Sequence, residues 1–170
     1  MAGRGDLALP QALKGPISVE AEPFDSPAAR RLVAALDEGL SRLYPATQRF
    51  GPNFKAHHAT GGRGTFVVAR VSGEAAGCGG LLLLDSGAAE VKRMYVRPEL
   101  RGQGVARAVL ARLVEDAREL GATRLVLETG VHQHEAIRLY ERAGFLAVEC
   151  WGEYSGVPTS ICYERPISSG

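Results

Sequence analysis

The chain has 170 residues, 45% of them hydrophobic, with 20 basic side chains against 19 acidic ones. That length fills one hydrophobic core and falls short of two. Charge so nearly cancelled gives neither nucleic acid nor an anionic membrane a broad electrostatic footprint, so the charge of any ligand must be met locally.

Taken in chain order, residues 1–15 are rich in Gly, Pro and Ala without periodicity and read as a flexible leader, with one domain over 16–170. No apolar core of signal-peptide length opens the chain, and no run approaches the ~18 apolar residues of a membrane span. I-S-V-E-A alternates like a strand. D-S-P-A-A-R-R-L-V-A-A-L predicts a helix, with Ser26 as its cap and Pro27 in its first turn. Between Tyr44 and Gly64 the pattern breaks into Pro, Gly, Asn and His, with room for a short helix near 53–58. Three β-like runs follow, T-F-V-V-A-R-V, A-A-G-C-G-G-L-L-L-L and A-E-V-K-R-M-Y-V, whose S-G-E and D-S-G punctuation predicts an antiparallel meander. A helix then runs from Val105 to Leu120, with Gly121 as its stop. The strand T-R-L-V-L-E-T, a helix closing on Gly144, and the strands F-L-A-V-E-C and T-S-I-C-Y-E complete an α/β chain whose mixed sheet carries helices on its faces. Cys78, Cys150 and Cys162 are odd in number and lack C-x-x-C or Cys/His ligand spacing, which argues against a disulfide framework or a zinc site and for a reducing cytoplasm.

The stretch E-L-R-G-Q-G-V-A-R, residues 99–107, sits at the mouth of the long helix. A helix start leaves amide N–H groups without partners, and its dipole favours an anion there by roughly 0.3–1 kcal/mol. Gly102 and Gly104 let a phosphate approach the backbone, and Arg101 and Arg107 offer guanidinium forks. The same Gly-x-Gly also serves as an ordinary tight strand-to-helix connection. Arg107 stands where a G-x-G-x-x-G dinucleotide loop needs glycine, and no G-K-[ST] follows for a Walker loop.

Together, Arg101-x-x-Gly104-x-Ala106, the preceding E-V-K-R-M-Y-V-R-P and the later A-I-R-L-Y-E-R-A-G-F resemble the acetyl-CoA signature of the GNAT N-acetyltransferase superfamily. The resemblance spans about Ile17 to Ile167 in element order and is most specific between Glu90 and Phe145. It implies a mixed, mostly antiparallel sheet of about six or seven strands, flanked by helices and splayed in the middle to hold acetyl-CoA. It gives the CoA pyrophosphate to the loop Arg101, Gly102, Gln103, Gly104, Val105 and Ala106, with Arg107 assisting. Backbone groups of Met94, Tyr95 and Val96 take the pantetheine and acetyl carbonyl. Tyr140, in L-Y-x-x-x-G-F, would protonate the departing thiolate; packing against the sheet is its plain alternative. Gln133 stands where the family commonly has asparagine and can offer an amide to the pantetheine.

An ammonium has no lone pair, so a proton must leave before an amine can attack. Glu90, at a strand position where some members of the family carry a glutamate, is the leading base, and period two sets it on one face with Lys92 and Met94. Its plain alternative is a strand-end carboxylate paired with Lys92 or Arg93. Glu128 is the second candidate. His132 and His134 read as capping and surface groups, and no metal is expected. Tyr44, Arg49, Phe54, Trp151 and Tyr154 lie in the two segments where the acceptor would enter, and Lys92 and Arg93 would suit an acceptor bearing a carboxylate.

The expected activity is direct acetyl transfer from acetyl-CoA to the primary amine of a small molecule, an amino acid or related amine. No cysteine or serine has a nucleophile's setting. The alternatives are a non-catalytic CoA-binding sensor, a protein N-terminal or lysine acetyltransferase, and a nucleotide-phosphate binder unrelated to CoA. Exposed sheet edges allow a homodimer.

Overall fold

A computed structural model describes residues 15–50 and 53–168. The expected leader lies outside the described residues, apart from Gly15. Strand β1 (Ile17–Ala21) pairs antiparallel with β2 (Gly64–Val71), and β2, β3 (Glu74–Leu83) and β4 (Ala88–Val96) form the expected meander. Strands β5 (Arg124–Gly130), β6 (Leu146–Val148) and β7 (Ser160–Pro166) complete a seven-stranded sheet in the order β1-β2-β3-β4-β5-β7-β6. Every neighbouring pair is antiparallel except β4 with β5.

Alternation along β2 divides the core between two helices. Phe66 and Val68 join Ala28, Ala29 and Leu32 of α1 (Pro27–Leu43), while Val67 and Ala69 join Val109 and Leu113 of α2 (Val105–Glu119). Each of these β2 side chains is essentially inaccessible to water, and full burial of a group such as Phe66, Val67 or Val68 contributes roughly 1.5–3 kcal/mol. Ser26 caps α1 as expected: its hydroxyl accepts the Ala29 N–H at 3.1 Å, and Pro27 takes a first-turn position where its missing N–H leaves no bond unmade. Helix α3 (His134–Arg142) ends at Gly144, which adopts a left-handed φ of 86°.

Two irregularities in β4 position the site. Its pairing with β5 stops at Glu90 opposite Val126, and beyond that point the two strands part. Gly80 faces Lys92 and Cys78 faces Tyr95, so Arg93 and Met94 together oppose Gly79, and Arg93 takes a φ of 58°. This bulge corrects the simple period-two reading. Glu90 and Lys92 share the α1 face, but Met94 is turned to the α2 side. A side chain at position 79 would lie 2.8 Å from Val109 and 2.9 Å from the Met94 sulfur, so only glycine fits there.

Other expectations change locally. The segment after α1 makes single 3₁₀ turns at Ala46–Gln48 and Ala56–Ala59 in place of one short helix near 53–58. The run F-L-A-V-E-C keeps only Leu146–Val148 as strand. The expectation of no disulfide is overturned: Cys150 and Cys162 are bonded, leaving Cys78 as the free thiol. The pair is twelve positions apart; β6–β7 pairing ends at Val148 opposite Cys162, and two residues further on Cys150 comes to a Cα distance of 5.1 Å, a proximity that spacing alone does not reveal.

Candidate active site

The parting of β4 and β5 opens a cleft roofed by the carboxy-terminal half of α1 and the segment behind it, with Tyr154 from the loop between β6 and β7 at one side. Its centre is an ion cluster. The Lys92 ammonium lies 3.3 Å from Glu90 Oε1 and donates to the Tyr154 hydroxyl at 2.9 Å, while that hydroxyl donates to the same Glu90 oxygen through a very short bond. Glu90 is 6% exposed, and its Oε2 has no hydrogen-bond partner among the described residues. Burial pushes the Tyr154 phenol well above its ordinary range, and the negative charge of Glu90 pushes the same way, so Tyr154 holds its proton. Glu90 is paired with Lys92, as its plain reading has it, and its Oε2 stays free at the fork of the sheet.

Tyr140, on α3, is buried between Phe145 and Tyr163 and also lines the cleft. Its ring therefore packs against the sheet, yet its hydroxyl has no hydrogen-bond partner among the described residues. Burial, and to a lesser degree Glu128, raises its pKa and keeps it protonated. Glu128 lines the same cleft from β5 and accepts from Ser160 at 2.9 Å. Desolvation raises its pKa, and the Ser160 hydrogen bond and Lys92 only partly offset this. It is a half-buried cleft carboxylate, where the sequence also allowed an exposed turn. Gln133 uses its Oε1 to accept the Gly130 N–H at 2.9 Å, leaving its amide NH₂ as the group it can offer. Cys78 is enclosed, and desolvation pushes its thiol up to about 12, which removes it as an acyl carrier.

The loop between β4 and α2 fits a diphosphate. Gly102 and Gly104 have φ of 77° and 89°, and nothing lies within 4 Å of where a Cβ would stand on Gly102. Gly104 caps α2 without a side-chain bond, and Ala108 makes the first helical bond, to the Gly104 carbonyl at 3.0 Å, so the preceding amides are free to meet an anion. Arg107 is exposed and reaches over Gly104. Arg101 has a second task, since its Nε donates to the Val96 carbonyl at 3.0 Å and its Nη1 lies 3.6 Å from Glu135. It pins the loop to the end of β4, and in doing so engages one of the backbone groups expected to serve the pantetheine. Met94 and Tyr95 lie beyond the last β4–β5 pair.

Of the acceptor-side candidates, Tyr44, Arg49 and Tyr154 line the cleft, whereas Phe54 is buried in the core against Phe24 and Phe66. Trp151 stacks edge-on to Tyr154 at 5.5 Å. The Tyr44 hydroxyl accepts the His132 N–H at 3.0 Å, and the two rings stack. Arg93 pairs with Asp37 of α1 at 2.8 Å, not with Glu90. Sequence reasoning placed Tyr154 only on the pocket wall and missed its bond to Glu90; no local signal joins positions so far apart in the chain. No group of three or more metal-ligating side chains, and no helix long and apolar enough to cross a membrane, occurs among the described residues.

The fork of the sheet thus has the mouth of α2 on one side and the buried Glu90 carboxylate on the other. The profile of the acetyltransferase (GNAT) family matches residues 29–145, and the chain belongs to that family as an N-acetyltransferase. The IAA acetyltransferase of Azospirillum brasilense is 38% identical over 138 residues, which cover 81% of this chain and 89% of that protein. A crystal structure of a candidate acyl-CoA N-acyltransferase from Klebsiella pneumoniae superposes with a TM-score of 0.73 at 32% identity, covering 88% of this chain and 97% of that one. A candidate streptothricin acetyltransferase from Bacillus anthracis, solved in complex with acetyl coenzyme A, shares the fold at a TM-score of 0.59 and 19% identity, over 66% of this chain and 68% of its own.

Proposed function

We propose that the protein transfers an acetyl group from acetyl-CoA directly to the primary amine of a small molecule, an amino acid or related amine. One observation carries the reading: Glu90 stands at the vertex where β4 leaves β5, with a free carboxylate oxygen, in the same cleft as the unpartnered Tyr140 hydroxyl. Acetyl-CoA supplies an activated acyl carbon and a thiolate leaving group. The free amides at the start of α2, with Gly102 and Gly104, would hold its diphosphate, and the unpaired edge of β4 at Met94 and Tyr95 would align its pantetheine.

Glu90 accepts a proton from the incoming ammonium, directly or through one water, and Lys92 and Tyr154 fix its orientation by converging on Oε1. The neutral amine then attacks the acyl carbon, forming the C–N bond as the C–S bond breaks. Tyr140 gives its proton to the sulfur, the attacking nitrogen passes its second proton through water to the Tyr140 phenolate, and Glu90 releases the proton it took to solvent. Transfer from a phenol of reference pKa near 10 to a thiolate whose acid lies near 8.5 is uphill by roughly 2 kcal/mol, and burial, by raising the phenol further, adds to that cost. The cleft, with a cavity of about 100 Å³, has room for a small acceptor.

Isothermal titration with acetyl-CoA, with ATP as the control, followed by thiol release against a panel of amino acids and small amines, tests the reading. Saturable binding with amine-dependent release is expected. Binding with no release from any small amine would overturn the small-molecule acceptor.

A further inference from the structure

Arg93 is an unusual occupant of a strand. It sits at the bulge with a left-handed φ of 58°, a conformation uncommon in residues with a side chain, and that side chain is only 2% exposed. Its Nη2 donates to Asp37 at 2.8 Å, but Nε and Nη1 are buried with no hydrogen-bond partner. Asp37 is itself 44% exposed and compensates the guanidinium weakly. Arg49, in the segment after α1, also has a buried Nε without a partner. Both residues line the cleft that holds Glu90, Glu128 and Tyr140. Lys92, the other cation of β4, is engaged by Glu90 and Tyr154.

Buried donors left unpaired are expensive, and native proteins seldom keep them without a partner that arrives later. We propose that Arg93 and Arg49 bind the carboxylate of the acceptor, so that the amine acetylated belongs to a small amino-carboxylate molecule. The inference rests on the small-molecule reading above and narrows it. The charges of the cleft divide to suit a zwitterion: Glu90 and Glu128 receive the ammonium, and the two arginines receive the carboxylate. A monoanion fits better than a phosphate dianion, because Asp37 already neutralises part of Arg93 and two further carboxylates line the same cleft.

The test compares matched acceptors with the full chain and acetyl-CoA. Thiol release is measured for a panel of L-α-amino acids, for their carboxamides, and for the corresponding decarboxylated amines. The proposal expects the best amino acid to exceed its amide and amine by roughly 100-fold in kcat/KM, as for loss of one partner of a buried charge pair. Arg93→Met should collapse that ratio towards one while the acetyl-CoA dissociation constant stays at its wild-type value. Arg49→Gln, which alters no strained backbone, should reduce the ratio in the same direction and serves if Arg93→Met does not fold. Amides and amines turned over as well as the acids by the wild-type protein would overturn the carboxylate site and leave the small-amine reading standing. Acetyl-CoA binding with no release from any compound would overturn that reading and this inference together.

Discussion

The phenol of Tyr154 donates a hydrogen bond to the carboxylate of Glu90, which lies 64 residues earlier in the chain. The bond makes the loop between β6 and β7 part of the apparatus that orients the base, and Lys92 closes the triangle by touching both groups. Tyr154→Phe removes the donor and keeps the ring, with its contacts to Phe50 and Trp151. kcat should fall about tenfold, less than the roughly 10²–10⁴-fold of a group that itself transfers the proton, because Tyr154 only orients the base, while acetyl-CoA affinity stays put. Steady-state kinetics beside a titration check this; an unchanged kcat would reduce Tyr154 to a wall of the pocket.

Glu128 predicts how stability depends on pH. Burial raises its folded pKa above the ordinary glutamate value, so the folded state holds this proton more tightly than the unfolded chain does. Its contribution is present in full below the unfolded pKa and is lost as pH rises through the folded one. Glu128→Gln removes that loss, and should melt a few degrees above wild type at about pH 8, with the difference fading at about pH 4. Thermal melts followed by circular dichroism at the two pH values decide the matter. A variant less stable at the higher pH would mean that the charged form is the one the fold favours.

The bond between Cys150 and Cys162 closes the loop that carries Tyr154. A loop of this length gives a disulfide a contribution of about 3 kcal/mol in the chain-entropy account. The double substitution Cys150→Ser with Cys162→Ser should lower the melting temperature and also kcat, since the loop presents Tyr154 to Glu90. Dithiothreitol should reproduce both effects in the wild-type protein and leave the double variant untouched. If dithiothreitol changes neither property in the wild type, the loop is held by other contacts.

Much of this fold is written locally. Ser26 and Pro27 announce α1, the alternation of β2 divides its residues between two helices, and Gly102 and Gly104 mark a loop that the structure shows bent into left-handed turns. Contiguous motifs, as around Arg101 and Tyr140, marked segments that the fold places at the mouth of α2 and in the cleft. The site was illegible where the determinant is a long-range pairing. The bulge that turns Met94 from Glu90 depends on the register of β3 against β4, and the disulfide depends on the register of β6 against β7. The bonds that tie Tyr154 to Glu90 and Arg93 to Asp37 join segments whose approach only the folded sheet creates. Arg101 shows a subtler limit: its motif marks the loop, but its bond to the Val96 carbonyl gives the side chain a structural duty beside any contact with phosphate.

The most direct measurement of the account is the effect of Tyr140→Phe on turnover, read beside stability and acetyl-CoA affinity. The hydroxyl has no partner among the described residues, so its removal should leave the melting temperature within about a degree or two of wild type or raise it, because no hydrogen bond is lost. Acetyl-CoA should bind as before, and kcat should drop roughly 100-fold with the loss of the proton donor to the sulfur. An unchanged kcat in a folded variant that binds acetyl-CoA would contradict the account, because the thiolate would then leave without Tyr140.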